Sequence, residues 1–233
     1  MDKTVQNRVT RRLVMIQSLL GLGASLGFSL PYLRRTHGLG RPDPRQRYLF
    51  VVNHVSLLDT ILMGSLCWRS GCYPILTLGD KSTWSTSWVK RMLSRPIGFL
   101  LERGKINLDR IRELQAFGRA SREFHLVVFP EGTRGDGVNV ARCQPGLYYI
   151  AQDARVPLVP VFIENMQLVS TKHGRFHPFR GLRKVEVHFG EPIPAANYLS
   201  LSREDFSEYV RQNIAALKPA PSAVCSSLVP SQV

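Results

Sequence analysis

Two polar clusters set in apolar sequence hold residue types that can do chemistry. They are Asn53-His54-Val55-Ser56-Leu57-Leu58-Asp59 and Phe129-Pro130-Glu131-Gly132-Thr133-Arg134. The first places a histidine five residues before an aspartate. On one helix, residues five apart point about 140° away from each other and cannot meet. Across a strand–turn–helix junction they can. The carboxylate then orients the imidazole and stabilises its cation, while the other ring nitrogen accepts a proton. Plainer readings fit the same letters. Ser56 and Asp59 match a helix start, and His54 suits a hydrogen-bonded histidine at a strand end.

The second cluster supplies anion recognition. Pro130 ends an apolar run, and Gly132 lets the backbone approach a ligand closely. Thr133 and Arg134 add a hydroxyl and a planar cation suited to phosphate. A turn closed by a Glu131–Arg134 ion pair is the alternative. A third stretch, Gly98 to Lys105 (GFLLERGK), ends in Arg103 and Lys105 around one glycine. It reads as a phosphate clamp or as a solvated strand end. No protein nucleophile accompanies the histidine. Residues 23–27 (GASLG) match GxSxG in letters, but no strand leads into them, so the elbow context is missing. A base without a nucleophile of its own implies that His54 activates a hydroxyl carried by a substrate.

These clusters need elements to hold them. Short apolar, β-prone runs occur at 47–52, 73–78, 98–101, 126–129, 157–163 and 184–189. Helical patterns lie between or after them, near 57–66, 108–123, 146–154 and 203–216. Trp84, Trp88, Met92 and Leu93 recur at helical spacing among basic residues, as a core stripe or a membrane-facing one. Strands alternating with helices predict an α/β fold with a central, mostly parallel sheet flanked by helices. There is no internal repeat.

The chain has 233 residues, enough for one domain with a real core, and an ordinary hydrophobic fraction of 44%. Its charge is not ordinary: 31 Lys and Arg against 17 acids, a net +14. Nine of those cations and only Asp2 and Asp43 fall in the first 47 residues. That end favours an anionic partner, either lipid or nucleic acid. Leu13 to Leu33 carries no charge and is flanked by Arg8, Arg11 and Arg12 and by Arg34 and Arg35. As a helix it is about 30 Å long, close to one hydrocarbon thickness. Gln17, three serines, three glycines and Pro31 make it a weak spanner. It reads as an embedded or interfacial anchor of two short helices meeting near 27–31.

A signal peptide and a buried core helix are the rivals. Residues 1–40 therefore form an N-terminal helical membrane anchor that ends in a linker. Residues 41–216 form the catalytic body, and 217–233 a disordered tail. Cys67, Cys72, Cys143 and Cys225 form no CxxC pair and suggest reduced thiols. No zinc-ligand spacing is visible, so no metal is expected.

The clusters resemble the conserved blocks of the glycerolipid acyltransferase superfamily, of the 1-acyl-sn-glycerol-3-phosphate or lysophospholipid acyltransferase type. Residues 53–59 (NHVSLLD) look like its HxxxxD block, 98–103 (GFLLER) its second and 129–134 (FPEGTR) its third. Residues 156–161 (VPLVPV) look like its apolar, proline-bearing fourth. All four occur in order. One departure is Gly135, where the third block often continues with serine. The resemblance implies acyl transfer from acyl-CoA or acyl carrier protein to the hydroxyl of a lysophospholipid-like acceptor, with 1-acyl-glycerol-3-phosphate the default.

On that pattern His54 is the general base and Asp59 its orienting partner. Arg103, Glu131, Gly132, Thr133 and Arg134 bind the acceptor's headgroup. The resemblance implies no cofactor beyond the acyl donor and no nucleic acid, and it places the active site at the cytoplasmic side of a membrane. A thioester is already activated, so positioning and base catalysis can suffice. Two readings compete: a non-enzymatic basic protein that binds membrane or nucleic acid, and a lipid hydrolase using the same base. Finally, residues 171–185 (TKHGRFHPFRGLRKV) hold five Lys or Arg and no acid, beside Phe176, Phe179 and Leu182. They suit an anionic bilayer, a nucleotide-bearing donor, or simply solvent.

Overall fold

The computed structural model describes residues 3–84, 86, 88, 98–101 and 108–219. Seven strands form one sheet: β1 (Leu33–His37), β2 (Leu49–Val52), β3 (Ile75–Asp80), β4 (Gly98–Leu101), β5 (His125–Val128), β6 (Leu158–Glu164) and β7 (Val185–Phe189). Their order is β1-β7-β6-β2-β5-β3-β4. The five strands from β6 to β4 are mutually parallel. β7 runs antiparallel to β6, and β1 runs parallel to β7.

The central strands are continuous apolar runs because both faces of the sheet are covered. β2 shows this by alternation. Leu49 and Val51 pack on one side with α3 (Leu108–Arg119), α4 (Gly146–Ala154) and α5 (Arg203–Ala215). Phe50 and Val52 pack on the other side with the N-terminal segment and α2 (Leu58–Arg69). The expected α/β architecture is thus present in three layers. β1 was not foreseen. Its LRRTH sequence lies at the sheet edge, where charges discourage further pairing. Arg34 and His37 there flank Glu186 of β7 at 3.4 and 3.0 Å. The globular body therefore begins at Leu33, inside the stretch read from sequence as anchor and linker.

The N-terminal segment is a helix, α1 (Lys3–Ala24), that continues through a π-helical turn (Ser25–Ser29) and a last turn (Leu30–Tyr32). The chain widens here rather than breaking into the two helices expected. Gln17, Ser25 and Ser29 face the body. The buried Gln17 amide donates to the carbonyl of Ile75 and accepts from its N–H, both at 2.8 Å. Ser25 and Ser29, four apart and so on one face, meet the hydroxyl of Ser65 at 2.8 and 2.7 Å. A Cβ on Gly21 would lie 2.5 Å from Trp68 Cγ, so the helices approach closely there. The exposed side is apolar: Met15, Ile16, Leu19, Leu22, Leu26 and Leu30. This inverts the usual pattern of a surface helix. Arg12–Tyr32 has a mean hydropathy of 1.7, long and apolar enough to cross a membrane by those measures.

Some expectations lie outside the described residues: Arg103, Lys105, Met92, Leu93, Cys225 and the tail from residue 220. Trp88 of the aromatic stripe is exposed. Cys67, Cys72 and Cys143 are buried free thiols.

Candidate active site

β2 and β5 are neighbours, yet their exits diverge. The chain leaving β2 enters α2 on one face of the sheet. The chain leaving β5 reaches α4 on the other. Such a switch point opens a crevice at the carboxyl ends of parallel strands. His54 follows β2 by two residues and Glu131 follows β5 by three, so the two sequence clusters meet there.

His54 Nδ1 lies 2.9 Å from Asp59 Oδ2. The turn between β2 and α2 brings them together, as the junction geometry required. Asp59 is wholly buried in the first turn of α2, and the same oxygen accepts from the backbone N–H of Val55 (2.6 Å) and Ser56 (2.8 Å). Its Oδ1 has no hydrogen-bond partner. One carboxylate thus makes both the helix-start contacts to backbone N–H groups and the contact to the imidazole. Nδ1–H directed at Asp59 leaves Nε2 as the nitrogen that can take a proton. The ring rests on Phe129, centroid to centroid 4.4 Å, and the His54 side chain is 17% exposed.

Backbone anchoring fixes the ring's position. Asn53 is buried, and its side-chain amide pairs with both backbone groups of Ile163 (3.0 and 2.6 Å), tying the end of β2 to β6. Glu131 is buried too. One carboxylate oxygen accepts from the N–H of His54 at 2.9 Å and the other from Ala141 at 3.1 Å. Burial pushes its carboxyl above the usual carboxylate value, and those amides and the His54 ring pull it back. Its oxygens thus reach the loop that carries the histidine. Gly135 donates to the His54 carbonyl at 2.7 Å, and a Cβ there would sit 3.1 Å from Glu131 Oε2. The glycine at that position lets the two loops close.

Two cavities flank this seam. One, of about 430 Å³, lies between α1 and α2 and is almost entirely apolar; Leu20, Leu57, Ile61, Trp68 and Tyr73 line it. The other, of about 370 Å³, lies against α3 and α4, and Arg110, Phe129, Gly132, Thr133 and Gln144 line it. Gly132 has φ +66°, and a Cβ there would meet Gln144 at 2.7 Å. Gly132 and Thr133 are exposed at this second cavity, whose lining is mixed, while Arg134 is half-buried and outside it. Arg110 and Gln144 were missed from sequence. Arg110 lies in the segment read from sequence only as a helix, and the packing of α3 on α4 places it at this cavity.

Among the described residues, one histidine-containing cluster has metal-ligand proximity: His37, Glu186 and His188, with donor atoms within 4.8 Å of one another. It lies on β1 and β7, strands that do not border the crevice. Sequence spacing concealed it because β1 was not recognised as a strand.

Comparison with known proteins points one way. A family model described as Acyltransferase matches residues 34–164. A probable 1-acyl-sn-glycerol-3-phosphate acyltransferase of Mycoplasma pneumoniae is 24% identical over 73% of this chain and 66% of its own length. A Caenorhabditis elegans protein, acl-2, with a like provisional description, is 27% identical over 68% of this chain and 53% of its own. The chain thus spans between half and two thirds of these relatives. The crystal structure of the 1-acyl-sn-glycerophosphate acyltransferase PlsC from Thermotoga maritima superposes with a TM-score of 0.61. That match covers 91% of this chain and 80% of PlsC at 18% identity, and shows a shared fold.

Proposed function

The chain belongs to the acyltransferase family, and on that premise we propose that it moves a fatty acyl group from a thioester to the free hydroxyl of a lysophospholipid-like acceptor. The favoured acceptor is 1-acyl-glycerol-3-phosphate, giving phosphatidic acid. The supporting observation is the His54 Nδ1–Asp59 Oδ2 contact of 2.9 Å at a crevice flanked by one apolar cavity and one of mixed lining that includes Arg110, Thr133 and Gln144. His54 Nε2 takes the hydroxyl proton as the acceptor oxygen attacks the thioester carbonyl. The C–O bond forms, the C–S bond breaks, and the departing thiolate takes the proton back from the imidazolium. Asp59 keeps Nδ1 protonated and offsets the charge on the ring. The thioester is already activated, so no cofactor is invoked beyond acyl-CoA or acyl carrier protein.

Gly132, Thr133 and Arg110 line the cavity that suits a headgroup, and the family resemblance adds Arg103 and Arg134 as headgroup-binding residues. Glu131 acts through His54: it holds the backbone that carries the base. The apolar cavity under α1 suits an acyl chain. α1 lies with its apolar side in the interface of a membrane, because burying that exposed stripe in lipid is favourable; the cytoplasmic side for the crevice follows from the family resemblance alone. The deciding experiment is acyl transfer by the purified chain from labelled acyl-CoA and acyl carrier protein to a panel of lysolipids. Acylated acceptor supports the reading. Free fatty acid without acylated acceptor marks a hydrolase and sinks it.

A further inference from the structure

Between Glu164 and Glu186 the sequence has no acid, yet it holds Lys172, Arg175, Arg180, Arg183 and Lys184. All five are exposed. The apolar members of the same stretch are exposed as well: Phe179 at 84%, Phe176 at 50% and Leu182 at 42%. Exposed phenylalanines are unusual for a segment with a defined backbone, and this backbone is defined. Ser170 and Phe176 form an antiparallel bridge, His177 N–H donates to Val169 at 2.8 Å, and Thr171 pairs with Arg175 and Gly174. Gly181 sits so tightly on Val169 that a Cβ would lie 2.2 Å from Cγ2. The loop is held in place with its aromatic side chains outward.

Its place in the fold supplies the second observation. The Arg183 guanidinium donates to the carbonyl of Leu30 at 3.2 Å, and its backbone N–H donates to Pro31 at 2.9 Å. Phe176 meets Tyr32 edge to face at 6.1 Å. The basic loop is therefore fastened to the end of the N-terminal helix, where Leu26 and Leu30 begin the exposed apolar stripe. Exposed apolar and cationic groups therefore neighbour one another at this end of the helix. A solvated loop would need neither the outward phenylalanines nor the attachment.

We propose that residues 171–184 form a second membrane contact, selective for anionic lipid: Phe176, Phe179 and Leu182 enter the headgroup boundary while the five cations meet lipid phosphates. The proposal rests on the reading of the N-terminal helix as membrane-bound. One apolar element gives reversible attachment, and a polybasic patch beside it supplies the second signal. Nucleic acid would use the cations but not three outward apolar side chains next to a lipid-facing helix. The contact also settles orientation: it pins the C-terminal end of the helix at the bilayer surface.

The test is co-sedimentation of the full chain with vesicles of phosphatidylcholine alone and of phosphatidylcholine with phosphatidylglycerol. The parent binds the mixed vesicles more tightly, and added salt erodes the difference. The double variant Arg175→Gln/Arg180→Gln loses about 25-fold in affinity for mixed vesicles, at about fivefold per cation, and keeps its affinity for neutral ones. Phe179→Ser weakens binding to both. Both changes are at exposed positions, and unchanged circular-dichroism melting confirms folding. A parent that binds neither vesicle overturns the membrane reading of the helix. A parent that binds both equally, or a double variant that keeps the full anionic preference, overturns the loop's role alone. Homopolymeric RNA binding that falls in the double variant while vesicle preference stays assigns the cations to nucleic acid, and equally overturns it.

Discussion

His54 and His125 are the same side chain at opposite ends of two paired strands, and they behave as different chemical groups. His54 leaves β2 at the carboxyl end of the sheet, with a carboxylate on Nδ1 and part of the ring in the crevice. His125 begins β5 at the other end, wholly buried between Tyr48 and Phe50, and Arg47 donates to its Nε2 at 2.9 Å. Burial first, and the Arg47 charge second, lower its pKa to about 4. One histidine faces an anion and keeps part of its ring exposed, the other faces a cation and a packed wall. A base needs a partner that tolerates its cation, and of these two histidines only His54 has one.

The comparison can be broken most directly at His54. His54→Ala should reduce acyl transfer about a thousandfold with little change in melting temperature. A parent-like turnover would remove the base from this mechanism. The reciprocal expectation for His125 concerns stability. The folded chain keeps that ring neutral down to about pH 4, whereas the unfolded chain takes up a proton near 6.5. Between those values the unfolded state binds more protons, so stability falls as pH drops from 6.5 through 4, by about 3 kcal/mol. His188, whose pKa is also lowered, by burial and then by the neighbouring His37, adds in the same direction. Urea titrations at a series of pH values should show this decline flattened in His125→Gln. An identical slope in that variant would mean the buried ring is not the proton-linked group.

Asp59→Asn sharpens the contrast at the site. It keeps the shape but not the charge beside the imidazole, and should cost about a hundredfold in kcat with the acceptor KM little changed. A pure KM effect would turn Asp59 into a binding residue. The smallest effect is expected at Glu131→Gln, about tenfold in kcat. One amide oxygen can still accept from His54 N–H, but the NH₂ replaces the acceptor that now faces Ala141. If the loss fell on KM for a phosphorylated acceptor instead, Glu131 would belong to substrate binding, as the family resemblance implies.

Much of the body was legible because its signals are local. β2, β5 and β6 are short apolar runs bounded by polar turns, and α4 and α5 carry the 3.6-residue period. The site's two halves were visible as clusters for the same reason: a strand end followed by a helix start writes itself in adjacent residues. What local pattern concealed was orientation. Leu33–His37 is too basic to read as a strand; its partner β7 lies about 150 positions away in sequence, and pairing there depends on the whole sheet closing. Gln17, Ser25 and Ser29 lowered the apparent quality of a membrane segment. In the structure they face Ile75 and Ser65, which leaves the lipid-competent side uninterrupted.

Residue order thus determined which groups are available: an imidazole with an acid five positions on, a glycine-bearing turn with cations, an uncharged N-terminal stretch and a basic aromatic loop. Tertiary structure alone decided which of them share a space. Adjacent parallel strands whose exits part to opposite faces bring residue 54 to residue 131, seal Asp59 Oδ2 and both oxygens of Glu131 onto backbone amides and leave a cavity on either side. The reason is geometric. Side-chain chemistry is carried by single residues, but distance and burial are properties of the packed sheet.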